Sequence, residues 1–106
     1  MPEARLREVS SVTRAVFNGK TIAESATTQT VDGYTYFPPD AVHWEYLRPS
    51  ATISVCHWKG EASYYSVVME TQTEVDAAWC YENPNPAATA IKGHVGFWGS
   101  VKIVID

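Results

Sequence analysis

The sequence predicts a mainly β fold, a single small antiparallel β domain (β-tent-like) with one short helix near residues 86–92. Two turn-forming pairs, Asn18-Gly19 and Asp32-Gly33, each separate segments rich in β-branched and aromatic residues. Later segments alternate apolar and polar side chains with a period of two, which indicates half-buried strands. The chain has 106 residues, of which 45% are apolar and 19% charged, a balance typical of one globular domain.

The first half of the chain is predicted to contain two hairpins. Strands over 12–17 and 20–24 flank Asn18-Gly19, a pair that favours a type I′ turn because both central residues take positive φ. Strands over 27–31 and 34–37 flank Asp32-Gly33 in the same way. The two prolines that follow cannot continue a central strand, so we expect the chain to bend there.

Four further strands carry most of the aromatic residues. Their alternation predicts one apolar face for each, as when Val75, Ala77, Trp79 and Tyr81 share a side of the last of them. These predicted strands cover 42–47, 51–56, 63–69 and 75–81.

A short helix is predicted over 86–92. Asn85 is expected to be its N-cap, Pro86 its first residue and Gly93 its left-handed terminator. Strands over 94–98 and 101–106 follow, for about seven to nine short strands in all. We expect residues 1–11 to form a flexible N-terminal extension and residues 12–106 a single β domain.

Charge and composition limit the classes of binding partner that we expect. The formal net charge is −4, so we expect no binding to nucleic acid and none to a membrane surface. The N-terminal residues lack the continuous apolar core of a signal peptide, which indicates a cytoplasmic protein. Cys56 and Cys80 are separated by 24 positions without a paired motif. Free thiols are the first interpretation, with a disulfide or a shared metal site as alternatives.

Several long segments are similar to a known family. Phe37-Pro38-Pro39-Asp40-Ala41-Val42, Cys56 to Tyr65, Ala78 to Pro84 and Ile91 to Phe97 resemble, in order, the family catalogued as domain of unknown function 427. The resemblance implies a β-tent arrangement and carries a nucleotidyltransferase-like label. Nucleotidyl transfer needs clustered carboxylates to hold Mg²⁺, and the sequence has no Asp-x-Asp pair, so the residues do not support that label.

The segment 56–64 is the densest cluster of chemically useful side chains. Gly60 allows a tight turn that would bring Lys59 and Glu61 to one opening. Lys59 would contact an anionic or carbonyl group, Glu61 would exchange a proton, and Trp58 and Tyr64 would stack on a flat ligand. The competing interpretation is a solvated ion pair beside a turn.

A second cluster is predicted to complete this pocket. Trp79 and Tyr81 are expected to line it, with Glu82 at its polar rim, although packing in the core is the simpler interpretation. The sequence thus favours a binding domain for an unidentified small molecule, with no cofactor and no metal site. One alternative is a small enzyme that uses Lys59, Glu61 and Tyr64 in acid–base chemistry, and another is a homodimeric interaction or scaffold domain.

Overall fold

The structure, a computed structural model, describes residues 11–106. The predicted extension over 1–11 lies outside this range except for its last residue. Within the described range the chain forms strands and 3₁₀ turns, and the mainly β prediction is confirmed. The strands are β1 (Thr13–Phe17), β2 (Lys20–Ser25), β3 (Gln29–Val31), β4 (Tyr34–Phe37), β5 (Leu47–Cys56), β6 (Gly60–Met69), β7 (Gln72–Cys80), β8 (Val95–Phe97) and β9 (Lys102–Ile105).

The strands form two antiparallel sheets. The smaller sheet has the order β2-β1-β9, and the larger has the order β3-β4-β8-β7-β6-β5. Strand β5 lies at an edge of the larger sheet. This position explains why it tolerates Pro49, which has no N–H to donate to a second neighbour.

Both predicted two-residue turns are confirmed. Asn18 and Gly19 have φ of 53° and 80°, and Asp32 and Gly33 have φ of 54° and 83°. Positive φ at both central residues is the requirement of a type I′ turn, whose twist matches that of the strands it joins.

The main core lies between the two sheets. It joins small and aromatic side chains of β1 and β2, such as Phe17 and Ile22, to Phe37, Val67 and Phe97 of the larger sheet. Successive residues of a strand point to opposite faces, so the neighbours of these core residues point away from the smaller sheet.

A second cluster covers the other face of the larger sheet. It contains Tyr36, Trp79 and Tyr81 together with Ala88 and Ile91 of the segment that follows β7. The middle of the larger sheet is therefore covered on both faces, on one by a sheet and on the other by aromatic rings and a short irregular segment, while the edge strand β5 is mostly exposed.

The strand predicted over 42–47 is wrong. Residues Trp44–Tyr46 form a 3₁₀ turn, and β5 begins only at Leu47. The segment crosses from one sheet to the other. Its backbone is bonded to a distant strand, because the N–H of His43 donates to the carbonyl of Ile22 on β2 (2.9 Å). The indole of Trp44 donates to the carbonyl of Pro39 (2.8 Å).

The predicted face of 75–81 is interrupted by a bulge. Asp76 has φ of 55°, and the register between β6 and β7 shifts there. Val75 is consequently exposed while Ala77 is buried, although alternation alone would place them together.

The predicted helix over 86–92 is a 3₁₀ segment, Pro86–Ile91, with a kink at Ala88. Asn85 begins it without a side-chain cap. Its side-chain amide instead donates to the carbonyl of Trp58 (3.1 Å). Gly93 ends the segment with φ of 72°, as predicted.

Candidate functional site: an aromatic pocket around a buried lysine

A row of paired residues across four strands forms the floor of the candidate site. Tyr36 on β4 pairs with Gly96 on β8, Gly96 pairs with Trp79 on β7, and Trp79 pairs with Tyr64 on β6. Directly paired residues lie on the same face of a sheet. Because Gly96 has no side chain, the indole of Trp79 lies over it, where an added Cβ would be only 2.8 Å from Trp79 Cζ2.

The aromatic rings are held edge to face. The indole N–H of Trp79 donates to the hydroxyl of Tyr36 (3.2 Å), and the Tyr34, Tyr36 and Trp98 rings all meet the Trp79 ring at steep angles. Trp98 is fixed independently, since its indole N–H donates to the carbonyl of Asp76 (2.7 Å). These contacts keep a space open between the rings.

That space is a cavity of about 140 Å³, which we call the aromatic pocket. An apolar cavity of about 150 Å³ holds one benzene molecule. The aromatic pocket therefore has room for one six-membered ring. Its lining residues are Tyr34, Tyr36, Lys59, Tyr64, Trp79, Tyr81 and Trp98.

Lys59 reaches the aromatic pocket from the turn between β5 and β6. Gly60, with φ of 111°, closes that turn against Cys56. Asn85 holds the outside of the turn, because its side chain binds the Trp58 carbonyl and its N–H donates to the Lys59 carbonyl (2.9 Å). The backbone is thus fixed from both sides and directs the Lys59 side chain inward.

Lys59 is only 6% exposed, which is rare for a lysine and requires a partner for its charge. That partner is Asp32, at the tip of the β3–β4 turn, whose Oδ2 accepts from Lys59 Nζ at 2.6 Å. The indole N–H of Trp58 donates to the same oxygen at 3.3 Å. Chiefly through the bond to Lys59, the pKa of Asp32 is held below its ordinary value.

The ammonium of Lys59 stays protonated. Burial is the largest influence and lowers the pKa of Lys59, but the bond to Asp32 and the nearby Tyr36, Cys56 and Tyr81 side chains together outweigh it. The pKa of Lys59 is therefore raised above its ordinary value. A protonated amine donates hydrogen bonds and attracts anions but is not a nucleophile.

Two titratable groups, Tyr81 and Cys56, border the ammonium. Burial raises the pKa of Tyr81 to about 12, so this phenol remains protonated. The pKa of the half-buried Cys56 thiol is lowered, chiefly because the backbone N–H of Lys59 points towards its sulfur. Both cysteines are free thiols.

The residues proposed from sequence divide into three groups. Lys59, Tyr64, Trp79 and Tyr81 line the aromatic pocket. Trp58 lies outside the lining and acts on it through Asp32. Glu61 and Glu82 are exposed and lie outside the lining, and Glu82 accepts a hydrogen bond from the hydroxyl of Tyr65 (3.2 Å).

Sequence reasoning missed Asp32, Tyr34, Tyr36 and Trp98 as site residues. Asp32 had been assigned only a turn-forming role, and Tyr34 and Tyr36 only a place in a strand. The repeated aromatic residues at 34 and 36, two positions apart beside a hairpin turn, were the available signal. Their distance of more than 20 positions from Lys59 concealed it.

A broader depression of about 1110 Å³ lies elsewhere, between the β1–β2 turn and the β6–β7 turn. It is open, and none of its lining residues is buried. Charged side chains such as Lys20 and Arg48 face water there. The aromatic pocket is the better candidate, because it alone of the two contains a desolvated charge and packed rings.

The fold and pocket define a small two-sheet β domain with a ring-sized cavity around a buried cation. The chain belongs to the family described as a domain of unknown function (DUF427), which matches residues 5–106. No curated protein matches the chain significantly. Within residues 11–106, no helix is long and apolar enough to span a membrane. Over the same range, metal-ligating side chains do not gather in groups of three or more.

Proposed function

We propose that this chain is a small-molecule-binding domain and that its ligand, a compound with a single flat ring, binds in the aromatic pocket. The observation that supports this most directly is the burial of Lys59 beside a cavity lined by six aromatic side chains. A concave site lined by aromatic side chains, with a few convergent polar groups, is the usual form of a ligand site.

The unfilled volume supports binding over a purely structural role. Lys59 Nζ lies 5.0 Å from the centre of the Trp58 ring and 5.9 Å from that of Tyr81, so the lysine already contacts aromatic faces. A lysine needed only for packing would fill the space between the rings. About 140 Å³ is nevertheless left open next to it.

A titration with benzoate and benzamide tests the proposal, because each is one flat ring with one polar group. Binding is followed by the ¹H–¹⁵N NMR signals of the indole N–H groups of the protein. Trp98→Ala removes one wall of the aromatic pocket and should weaken binding of both compounds about fivefold, since stacking on one ring contributes about 1 kcal/mol.

Trp44→Ala is the matched control. Trp44 and Trp98 are both exposed, at 38% and 47%, and each donates its indole N–H to a backbone carbonyl. Only Trp98 lines the aromatic pocket. Binding by Trp44→Ala equal to that of the natural chain supports the proposal. It is overturned if neither compound binds at millimolar concentration, or if Trp98→Ala binds as well as Trp44→Ala.

The enzyme hypothesis with Lys59 and Glu61 has less support. Glu61 faces water on the β6 side of the turn, outside the aromatic pocket, and Lys59 is protonated and paired with Asp32. An exposed Trp98 is compatible with the homodimer hypothesis. Its exposure is explained as well by its place at the edge of the aromatic pocket.

A further inference from the structure

We infer that the carboxylate of Asp32 occupies the position of a ligand carboxylate, and that the natural ligand is a single-ring monocarboxylate that displaces Asp32 from Lys59. This inference rests on the proposed function, since it names the ligand class of the same aromatic pocket. It is carried by the convergence of Lys59 Nζ and Trp58 Nε1 on one oxygen of Asp32, at 2.6 and 3.3 Å.

The two donors form a subsite for an anionic oxygen. Lys59 is buried, carries one positive charge and has three N–H donors. Among the described residues, the carboxylate that pairs with it is that of Asp32. A monoanion in this position neutralises the single charge of Lys59, whereas a dianion such as a phosphate monoester would carry a second charge that no other cation of the pocket lining compensates. The subsite therefore favours a carboxylate.

Asp32 is placed so that it can leave. Its side chain is 52% exposed, compared with 8% for that of Lys59. It lies at the tip of a two-residue turn, where a change of side-chain rotamer carries the carboxylate into water without breaking any strand pairing. The exchange replaces one carboxylate by another, so the charge of Lys59 is never left uncompensated.

The size of the aromatic pocket limits the size of the ligand apart from its carboxylate. The cavity has room for about one six-membered ring, and Lys59, which lines it, also holds the Asp32 carboxylate just outside the lining. A ring placed among Tyr34, Trp79 and Trp98 would meet their edges and faces in the arrangements that aromatic groups prefer. Ring and carboxylate together define the class of benzoate or a heteroaromatic equivalent.

The experiment compares benzoate with its neutral isostere benzamide on the natural chain and on Asp32→Asn. This substitution turns the β3–β4 turn into Asn-Gly, the pair that already forms the β1–β2 turn of this protein. Removing the competing carboxylate should strengthen benzoate binding by about tenfold. Benzamide binding should change by less than about twofold, because an amide neither replaces a charge nor is repelled by one.

Two further variants complete the test. Asp32→Gly removes the carboxylate and also suits the positive φ of this position, so it repeats the measurement if Asp32→Asn unfolds. Lys59→Met removes the positive charge and leaves an apolar side chain of similar length. In that variant the preference for benzoate over benzamide should disappear while benzamide still binds.

The outcomes separate the two proposals. A benzoate affinity that rises in both Asp32 variants and loses its advantage in Lys59→Met supports the inference. Two results overturn the inference and leave the proposed function in place. One is equal affinity of Asp32→Asn for benzoate and benzamide, and the other is no gain in benzoate affinity when the Asp32 carboxylate is removed. Failure of both compounds to bind any variant overturns both.

Discussion

Gly96→Ala tests whether the missing side chain at this position makes the aromatic pocket possible. A Cβ at Gly96 would lie 2.8 Å from Trp79 Cζ2 and 2.9 Å from Cε2. Favourable carbon–carbon contacts are at about 3.5 to 4.0 Å, so one of the two groups must move by roughly 0.7 Å or more.

Neither group can move easily. Gly96 lies in the middle of β8, paired with Tyr36 on one side and Trp79 on the other. Trp79 is 6% exposed and is held by its hydrogen bond to Tyr36 and by three surrounding rings. Inserting one methyl group into such a site typically costs about 1 to 3 kcal/mol.

The assay is equilibrium unfolding in urea, followed by tryptophan fluorescence. We expect a lower midpoint with an unchanged slope, and a fall in melting temperature of about 4 to 8 °C for each kcal/mol lost. Trp79→Phe removes the outer ring atoms that the new methyl group would meet. In that background, Gly96→Ala should therefore cost at least about 1 kcal/mol less than in the natural chain.

A free energy of unfolding for Gly96→Ala within about 0.5 kcal/mol of the natural value would refute the reasoning. So would an equal cost in the two backgrounds, because the contact with Trp79 would then not be the cause. Benzamide binding gives a second measurement, since a displaced Trp79 ring would enter the aromatic pocket and weaken the binding of benzamide.

Three further predictions follow from single sites. Cys56 is half-buried and has a lowered pKa, so it should react with a disulfide reagent in the native protein. Cys80 is 2% exposed and has a pKa of about 12, so it should react only after unfolding. Fast reaction of both thiols in the native protein would contradict this. The natural chain should be more stable than Asp32→Asn at pH values above the ordinary carboxyl pKa near 3.8, and this difference should vanish as the pH falls through the lowered pKa of Asp32. The difference should also decline above pH 10.5 as Lys59 loses its proton. Urea midpoints that differ equally from about pH 2 to about pH 11 would refute the pairing. Gly19→Ala should cost about 1 kcal/mol in thermal unfolding from backbone strain alone, since φ is +80° and nothing lies within 4 Å of the added methyl group; a larger loss would indicate a contact that the structure lacks.

The local pattern of residues was sufficient for most of the fold. Asn18-Gly19 and Asp32-Gly33 required positive φ and so fixed two hairpins and the pairing next to each turn. Alternation predicted the faces of β6 correctly, with Val67 in the main core and Tyr64 on the opposite face. Both signals act between close neighbours in the chain, which is why sequence alone reveals them.

The local pattern failed where distant groups replaced local ones. A strand over 42–47 was predicted from alternation, but the carbonyl of Ile22 satisfies the backbone of this crossing segment. Asn85 was predicted to cap a helix, yet its side chain binds the β5–β6 turn. The bulge at Asp76 reversed the face of Val75. Each error arose because a hydrogen bond across the fold outweighed a weak local preference.

The amino-acid sequence by itself determined the β class, the two type I′ turns and the family, and it made Lys59 a candidate site residue, because these depend on residue types at short spacing. Only the tertiary structure decided that the partner of Lys59 is Asp32, 27 positions earlier, and that Tyr36, Gly96, Trp79 and Tyr64 form one row. The pairing order of four strands sets these contacts. That order is associated with burial of both faces in the middle of the larger sheet, a property of the whole chain that no short segment contains.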